Sequence, residues 1–365
     1  MIPRSHGGPD ALGVPRFDFS TNSNACGPCP SALDAVEQAD ASHYPDASYT
    51  MLRQQLATFH GVQLSRVLLA GSASEFIFRI TAWVAQQDAT AGRANRGKVC
   101  LPPHSYGDYV QAAQSWGLGQ TTQPDAAQLV WACEPSSPLG GAHAGWPHWL
   151  TDLTNPRDTP VSARAEPVQT LPPPVLVLDR AYEPLRLSGA SALDEAQLAR
   201  VWQLWTPNKA LGLTGVRAAY AIAPLGAQAA VAALEGLCPS WPVGAHGVAM
   251  LQAWVQAETQ AWLAGSLHIL KVWKSRQIDL LQALGWHCLP SDTPFFCARP
   301  DRQDAGSGLD FHDLDMASLH NKLQRLRAAG IKLRDATSFG LPGHVRVSVQ
   351  PPAAQDALAF ALQGY

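Results

Sequence analysis

The stretch LWTPNKALGLTGVRAAYAIA, residues 204–223, is the most informative for the fold and contains a candidate catalytic lysine. An apolar run leads into a glycine-rich turn and a second apolar run follows, so the stretch predicts a strand, a turn and another strand. The turn holds Lys209, whose amine can form a Schiff base with a carbonyl group. Thr206 and Arg217 flank Lys209 and can hold a phosphate. The stretch therefore predicts a site for a carbonyl compound that carries a phosphate.

A second stretch, VLVLDRAYEPL at residues 175–185, predicts a strand that ends in Asp179, with Tyr182 three residues later. In α/β proteins, ligands bind at the carboxyl ends of the strands of a parallel sheet. A carboxylate at that place can pair with the protonated pyridine nitrogen of pyridoxal phosphate, which makes this cofactor an electron sink. Asp179 and Lys209 together predict a site for pyridoxal phosphate.

Short apolar runs without strict alternation recur between helical patterns, which is typical of buried strands in a mostly parallel sheet. The runs are RVLLA (66–70), KVCLP (98–102), LVWAC (129–133), VLVLD (175–179) and AAYAIA (218–223). Helical patterns occupy residues 31–39, 48–61, 74–87 and, in one long stretch, 251–285. An α+β tail follows, with strand-like runs at 295–299, 331–335 and 344–349 around a helix at 316–330.

The length of 365 residues predicts two domains. We expect a large α/β domain over residues 44–250, with a mostly parallel sheet flanked by helices, and a small α+β domain over residues 251–365. Residues 1–43 are irregular and are expected to contribute to the small domain and to the edge of the active site. The proline-rich residues 154–174 predict an exposed, mobile loop.

Composition excludes several classes of protein. Hydrophobic residues make up 46% of the chain and charged residues 15%, which is typical of a soluble globular protein. A net charge of −3 gives no footprint for nucleic acid or an anionic membrane, and no apolar run reaches the roughly 20 residues that span a bilayer. The first residues lack the apolar region of a signal peptide, and the 7 cysteines show no repeated spacing, so we expect a cytoplasmic protein with reduced thiols. No metal site is predicted.

Short motifs occur in order along almost the whole chain. They are NSNACGP (22–28), YPDASYTMLR (44–53), SASE (72–75), HSYGDY (104–109), DRAY (179–182), TPNKALGLTGVR (206–217) and HVRVSV (344–349). The set resembles the fold-type I pyridoxal-phosphate enzymes, specifically the class I/II aminotransferase branch that contains histidinol-phosphate aminotransferase and threonine-phosphate decarboxylase. The resemblance implies aminotransferase fold type I and pyridoxal phosphate as cofactor.

The resemblance also implies roles for individual residues. Lys209, Asp179 and Tyr182 are expected to be catalytic. The residues expected to bind the cofactor are Ser72, Ala73 and Ser74 through backbone N–H groups, Tyr106 by stacking, and Ser137, Asp179, Tyr182, Thr206, Lys209 and Arg217. Tyr44 is expected to reach the cofactor phosphate of a second subunit, which implies a homodimer with shared active sites. Those expected to bind substrate are His6, Gly8, Asn24, Arg334 and Arg346.

Two positions depart from the family pattern. The family's N-P-N-N-P-T-G appears as EPSSPLG at residues 134–140, so Ser137 stands where an asparagine normally hydrogen-bonds the cofactor's 3′-oxygen. A serine is shorter and can act through a water molecule, so the substitution predicts weaker tuning of the cofactor. Asn208 stands where a small hydroxyl residue is usual.

Three functions remain open. The residues His6, Gly7 and Gly8 favour threonine-phosphate decarboxylase, so the leading expectation is decarboxylation of an O-phosphorylated amino acid in cobalamin biosynthesis. The alternative is transamination of a phosphorylated amine or amino acid, as in histidinol-phosphate aminotransferase. In both, Arg334 and Arg346 would clamp the phosphate and carboxylate of the substrate. A catalytically impaired homologue is the second alternative, supported only by the altered EPSSPLG motif.

Cys26-Gly27-Pro28-Cys29 has the spacing of a thioredoxin-like dithiol. That motif requires a preceding strand, which is only briefly indicated here, and a positive environment for the thiol. Asp18 and Asp34 are the nearest charges in sequence and would oppose thiolate formation. Gly27 and Pro28 belong to the NSNACGP motif, so we expect the two cysteines to be incidental.

Overall fold

A seven-stranded, mostly parallel sheet forms the centre of the computed structural model, which describes residues 6–90, 97–151, 173–301 and 311–363. Its strands are β2 (Val67–Ala70), β3 (Lys98–Cys100), β4 (Gly119–Thr121), β5 (Leu129–Cys133), β6 (Val175–Asp179), β7 (Trp202–Trp205) and β8 (Ala219–Ile222). They lie in the order β2-β8-β7-β6-β5-β3-β4. Among these seven strands, only β8 runs opposite to the common direction of the others. The prediction of a mostly parallel sheet is confirmed.

Helices cover both faces of this sheet. The helices are α1 (Pro30–Glu37), α2 (Thr50–His60), α3 (Ala73–Thr90), α4 (Gly107–Ser115), α5 (His148–Thr151), α6 (Glu195–Leu198), α7 (Gln228–Gly236), α8 (Ala245–Trp254), α9 (Ala257–Ala283), α10 (Phe311–Ala328) and α11 (Pro352–Gln363). On β5, Leu129 and Trp131 pack in the cluster that holds Phe76 of α3, whereas Val130 packs in the opposite one with Leu150. Burial on both faces explains why these strands read as continuous apolar runs.

A four-stranded antiparallel sheet and a two-stranded ribbon complete the fold. The remaining strands are β1 (Phe17–Asp18), β9 (Trp286–Cys288), β10 (Phe295–Pro300), β11 (Ile331–Lys332), β12 (Arg334–Asp335) and β13 (Val345–Ser348). The four-stranded sheet has the order β12-β13-β10-β9, and β1 pairs in parallel with β11. The run at 331–335, expected to be one strand, is therefore divided between two sheets, and it joins residues 17–18 to the C-terminal part of the chain.

The structure corrects three further expectations. The helical stretch at 251–285 is two helices, α8 and α9, and the side-chain amide of Gln260 donates to the carbonyl of Trp254 at 2.5 Å across the break. α8 also begins earlier, after Gly244. The polar edge strand β4 was not predicted, because Gly119–Thr121 contains no apolar run. Residues 154–172 of the proline-rich stretch lie outside the described residues. Among the helices of the described ranges, none has the combined length and apolar character that crossing a bilayer requires.

Candidate active site

Asp179 lies at the carboxyl end of β6, between the last residues of two neighbouring strands. In the sheet register Asp179 stands beside Cys133 of β5 and Leu204 of β7, and its side chain is buried. One carboxylate oxygen accepts the Tyr109 hydroxyl at 2.6 Å, and the other accepts the Ala181 N–H at 2.9 Å. Burial raises the pKa of Asp179, and these hydrogen bonds together with the charge of Lys209 oppose the rise. The site therefore contains a buried, hydrogen-bonded carboxylate.

Lys209 lies in the turn that follows β7, as the sequence predicts. Its Nζ is 5.4 Å from the ring centroid of Tyr182, which is itself buried. The ring of Tyr182 meets the ring of Phe295 edge-on at 4.8 Å. The carbonyl of Lys209 accepts the Asn24 N–H at 2.9 Å, so the lysine turn is tied to the N-terminal part of the chain. Lys209, Tyr182 and Asp179 are brought to one edge of the sheet.

The N-terminus of α3 faces the same region. Ser72 caps this helix, since its hydroxyl accepts the N–H of Glu75 at 3.1 Å. The hydroxyls of Ser74 and Tyr106 are 3.3 Å apart and share a hydrogen bond. Burial is the largest factor that raises the pKa of Tyr106 to about 12, so its phenol keeps its proton at neutral pH. The first N–H groups of a helix have no intrahelical acceptor, and those of Ala73 and Ser74 suit a phosphate.

Two arginines stand opposite each other on adjacent strands, Arg334 on β12 and Arg346 on β13. Both are buried. Arg346 donates through Nη1 to the Ser137 hydroxyl at 3.1 Å and through Nη2 to the Ser20 carbonyl at 2.8 Å. Burial, followed by the charge of Arg346, lowers the pKa of Arg334 to about 10, and burial lowers that of Arg346. Arg334 donates to the Asp335 carbonyl at 2.7 Å and to the Ser338 hydroxyl at 2.6 Å. Two neighbouring guanidinium groups offer a fork of N–H donors and positive charge, so the pair suits an anionic ligand.

Arg346 borders the lysine site through Phe295. The guanidinium carbon of Arg346 is 6.0 Å from the centroid of the Phe295 ring, whose edge contact with Tyr182 is described above. Phe295 therefore lies between the arginine pair and the side chain that Lys209 contacts. The rings of Phe295 and Tyr182 thus connect Arg346 to the amine of Lys209.

The N-terminal segment also approaches the site, at Tyr106. The ring centroids of His6 and Tyr106 are 6.0 Å apart. Gly8 donates its N–H to the Ser20 hydroxyl at 2.9 Å, and its carbonyl accepts Nζ of Lys332 at 2.6 Å. Gly8 has a φ of 92°, which an L side chain rarely adopts. The structure thus brings His6 close to Tyr106 and Gly8 close to Ser20, two residues after β1.

Several residues that were expected to bind the cofactor or substrate are exposed or hydrogen-bonded to other protein groups in the single chain. Arg217 is exposed, and Tyr44 is 78% exposed and stacks on Trp241 at 4.5 Å. The hydroxyl of Thr206 donates to the side-chain oxygen of Asn208 at 2.9 Å. The side-chain amide of Asn24 donates to the Ala210 carbonyl at 3.0 Å and to the Ser266 hydroxyl at 2.8 Å. The ligand roles of these residues stay predictions.

Two side chains at the site were not predicted. Tyr109 holds Asp179, and its position one helical turn after Tyr106 in the HSYGDY motif was the available signal. Asn22, also inside a quoted motif, is buried, and its amide nitrogen lies 3.4 Å from the Tyr182 hydroxyl. Its side-chain oxygen is buried and has no hydrogen-bond partner among the described residues. Asn22, rather than Asn24, turns its amide to the site.

The Cys26–Cys29 segment packs against the lysine turn. Both thiols are free, and the N–H of Cys29 donates to the Leu211 carbonyl at 2.8 Å. A Cβ on Gly212 would lie 2.6 Å from the Gly27 carbonyl, so glycine at 212 permits this close approach. Burial raises the pKa of Cys26, which disfavours its thiolate. The segment supports the turn that carries Lys209, and the incidental role of its thiols stays a prediction.

A sequence model of the family described as aminotransferase class I and II matches residues 175–362, more than half of the chain. The chain belongs to the aminotransferase class I and II family. Histidinol-phosphate aminotransferase 2 of Burkholderia mallei is 24% identical, with 94% of this chain and 91% of that protein covered. A histidinol-phosphate aminotransferase of Acinetobacter baumannii is 27% identical, with 79% and 78% covered.

Solved structures share the fold of this family member. Histidinol-phosphate aminotransferase of Sinorhizobium meliloti, in complex with pyridoxal-5′-phosphate, has a TM-score of 0.71 at 22% identity and covers 96% of this chain and 90% of its own. L-threonine-O-3-phosphate decarboxylase of Porphyromonas gingivalis has a TM-score of 0.69 at 18% identity, with 95% and 98% covered. The predicted aminotransferase fold type I, with its additional smaller part, is confirmed.

Pyridoxal phosphate is the cofactor of this class I/II enzyme, and the residues present fit it. A buried carboxylate, Asp179, suits a pyridinium nitrogen, and the half-buried amine of Lys209 suits the carbonyl carbon. Two buried polar atoms, Oδ1 of Asn22 and Nε of Arg346, have no hydrogen-bond partner within the described part of the chain and can serve a bound molecule. The prediction of a pyridoxal-phosphate enzyme is confirmed.

Proposed function

We propose that this protein is a pyridoxal-phosphate-dependent aminotransferase that acts on a phosphorylated amine or amino acid. Its relatives are named histidinol-phosphate aminotransferase, which supports this substrate class. The observation that carries the proposal is the buried pair Arg334–Arg346 beside the lysine site, which suits an anionic substrate. The names of the sequence relatives support amino transfer more than decarboxylation, the leading expectation from the sequence.

The groups that would hold the cofactor lie at one edge of the large sheet and in the loops and the helix N-terminus beside it. Asp179 would hold the ring nitrogen, Tyr106 would stack on the ring, and the N-terminus of α3 with Thr206 and Arg217 would bind the phosphate. Ser137, which is shorter than the family's asparagine and accepts a hydrogen bond from Arg346, would reach the 3′-oxygen only through a water molecule. When bound, pyridoxal phosphate supplies an electron sink that stabilises negative charge at the substrate's α-carbon.

Lys209 has two tasks in this proposal. Its amine would hold the cofactor covalently, and in the presence of substrate the free amine would accept the proton of the substrate's α-carbon and return it to the reacting group. Tyr182 lies next to this amine, at 5.4 Å from Nζ to the ring centroid, and limits where the amine can move. A second amine-accepting substrate, such as 2-oxoglutarate, completes the cycle.

The arginine pair orients the substrate. The planar guanidinium of Arg346 can bind a carboxylate or a phosphate through two parallel hydrogen bonds, once its bond to Ser137 is exchanged for the ligand. Arg334 adds a second charge from the adjacent strand. The pair selects substrates that carry at least one anionic group away from the reacting carbon.

Decarboxylation of an O-phosphorylated amino acid, in cobalamin biosynthesis, is the second candidate. The observation that favours it is the N-terminal segment, which carries His6 to 6.0 Å from Tyr106. In that reaction the carboxylate leaves as carbon dioxide, and Lys209 delivers a proton to the α-carbon in its place. The two candidates differ in which bond to the α-carbon is broken, while the cofactor-binding groups are the same.

We also propose a cytoplasmic homodimer with shared sites, built from a large cofactor domain of residues 44–250 and a small domain of residues 251–365 with 1–43. The exposed aromatic pair Tyr44–Trp241 and the 65% exposed Met51 support a partner surface at this place. Tyr44 would reach the partner's cofactor phosphate. Light scattering at micromolar concentration should give twice the chain mass, and a fully active monomer would contradict the shared site.

One experiment separates the functional candidates. The purified protein, loaded with pyridoxal phosphate, receives histidinol phosphate with 2-oxoglutarate in one vessel and O-phosphothreonine in another. Glutamate formation in the first without carbon dioxide release in the second supports amino transfer. The reverse result supports decarboxylation and overturns the proposal. Neither product, together with normal cofactor binding, identifies a catalytically impaired homologue.

A further inference from the structure

Tyr109 is a buried phenol that directly contacts the acid of the site. It lies on α4, one helical turn after Tyr106, and its ring meets the Tyr106 ring edge-on at 5.9 Å. The Tyr109 ring also stacks on Trp131 of β5, with centroids 4.5 Å apart and planes 13° apart, and this contact fixes its position. Both rings are fully buried. The phenol therefore has one available position, at the end of β6.

The hydroxyl of Tyr109 fills a defined place around Asp179. It donates to Oδ2 at 2.6 Å, while the N–H of Ala181 donates to Oδ1 at 2.9 Å. Within the described parts of the chain, each carboxylate oxygen has one donor, which fixes the rotation of the carboxylate about its bond to Cβ. A carboxylate oxygen can accept more than one hydrogen bond, so both oxygens keep capacity for a ligand.

The two donors also affect the charge of Asp179. Burial disfavours the ionised carboxylate, and the Tyr109 hydroxyl is the first factor that acts against burial. Burial and the neighbouring carboxylate raise the pKa of Tyr109 well above its ordinary value, so the phenol keeps the proton that it donates. A hydrogen bond to a charged group is stronger than one between neutral groups.

We propose that Tyr109 is a positioning residue for Asp179: it fixes the orientation of the carboxylate toward the cofactor's ring nitrogen and keeps the carboxylate charged. This inference rests on the proposed function of Asp179. Without the phenol, the carboxylate would take the proton from the ring nitrogen more readily. The ring would then lose the charge that draws electrons from the reacting carbon.

Nitrogen-15 NMR of ring-labelled pyridoxal phosphate bound to the whole protein tests this directly. We expect the wild-type signal to be that of a protonated ring nitrogen and the Tyr109→Phe signal to move toward that of a neutral pyridine. Phe keeps the stacking on Trp131 and removes only the hydroxyl. Cofactor binding at pH 7 should weaken by about tenfold to hundredfold, the range expected for a lost hydrogen bond to a charged group.

Tyr220→Phe is the matched control. Tyr220 is another fully buried tyrosine of the same sheet, and its hydroxyl meets His60 at 2.8 Å and Trp254 at 3.0 Å instead of the site. Its variant should keep the wild-type nitrogen signal. A shift as large as that of Tyr109→Phe would show a packing effect and overturn the inference. An unshifted signal in Tyr109→Phe would also overturn it.

Two further results separate this inference from the proposed function. If the wild-type protein does not bind pyridoxal phosphate, both fail; if it binds normally and Tyr109→Phe is unchanged, only the inference fails. Should Tyr109→Phe not fold, Tyr109→His, which keeps an N–H donor, is compared with Tyr109→Leu, which has none. We expect the His variant to lie nearer to the wild-type signal, and equal signals would overturn the inference.

Discussion

The two halves of the site are built from different kinds of structure. On the cofactor side, Asp179 and Lys209 follow buried strands of one sheet, and their motifs match the family pattern. On the substrate side, Arg346 is held by Ser20 and by Ser137, which come from distant parts of the chain. Ser137, which stands where the family's asparagine bonds the cofactor, borders both sides. The comparison teaches that the cofactor side follows from buried strands of one sheet, whereas the substrate side depends on contacts between distant segments, so changes on the two sides should have different kinetic signatures.

The largest effect is expected on the cofactor side, from Lys209→Ala. Loss of the amine removes both the covalent attachment of the cofactor and the proton carrier, so kcat should fall by roughly four orders of magnitude or more. Steady-state kinetics with the preferred substrate measure the effect. Lys274→Ala is the control, because Lys274 is a partly buried lysine of α9 that donates to the Ser291 carbonyl. A similar loss in both variants would mean that the lysine turn has no special role.

A smaller effect, of another kind, is expected on the substrate side from Arg346→Lys. Lysine keeps the charge and loses the planar fork, so KM should rise by about a hundredfold while cofactor affinity stays within about twofold. Arg299→Lys, on the neighbouring strand β10, is the control and should leave KM unchanged. A fall in cofactor affinity with unchanged KM would assign Arg346 to the cofactor side.

Ser137→Ala tests the boundary between the two sides. Its hydroxyl accepts a hydrogen bond from Arg346 at 3.1 Å, so we expect KM to rise by about tenfold with little change in cofactor affinity. Ser136→Ala is the matched control, because its hydroxyl accepts the Gly141 N–H at 3.1 Å instead. If cofactor affinity falls and KM does not, Ser137 keeps the role that the family's asparagine has.

The smallest effect is expected from the double change Cys26→Ser, Cys29→Ser. These residues support the lysine turn through their backbone, and serine preserves it, so specific activity should stay within about threefold. The measurement is repeated with dithiothreitol on the wild-type protein. Activity that depends on the reductant, or is mostly lost in the double variant, would make the dithiol functional.

The sequence predicted the sheet well because its central strands are buried on both faces and read as apolar runs. It predicted Asp179 and Lys209 because each follows such a run. The edge strand Gly119–Thr121 is polar and left no such signal. The break between α8 and α9 contains neither glycine nor proline, so the local sequence did not predict it.

Long-range contacts explain the rest of what the sequence could not provide. Tyr109 meets Asp179 across 70 residues of chain, and Asn22 meets Tyr182 across 160. Only the folded sheet brings these side chains together. Tyr44 and Arg217 are exposed in the single chain, and their motifs could not show this because exposure depends on the neighbouring parts of the folded protein.

The most direct test of the account is to find where the cofactor is attached. The wild-type protein is loaded with pyridoxal phosphate, reduced with borohydride, digested and mapped by mass spectrometry. Lys274 is the competing amine, because burial lowers its pKa to about 8 and leaves more of it unprotonated than an ordinary lysine. We predict one stoichiometric adduct on Lys209, which persists in Lys274→Ala and disappears in Lys209→Ala. Labelling of Lys274 in its place, or an adduct that survives in Lys209→Ala, would contradict the account.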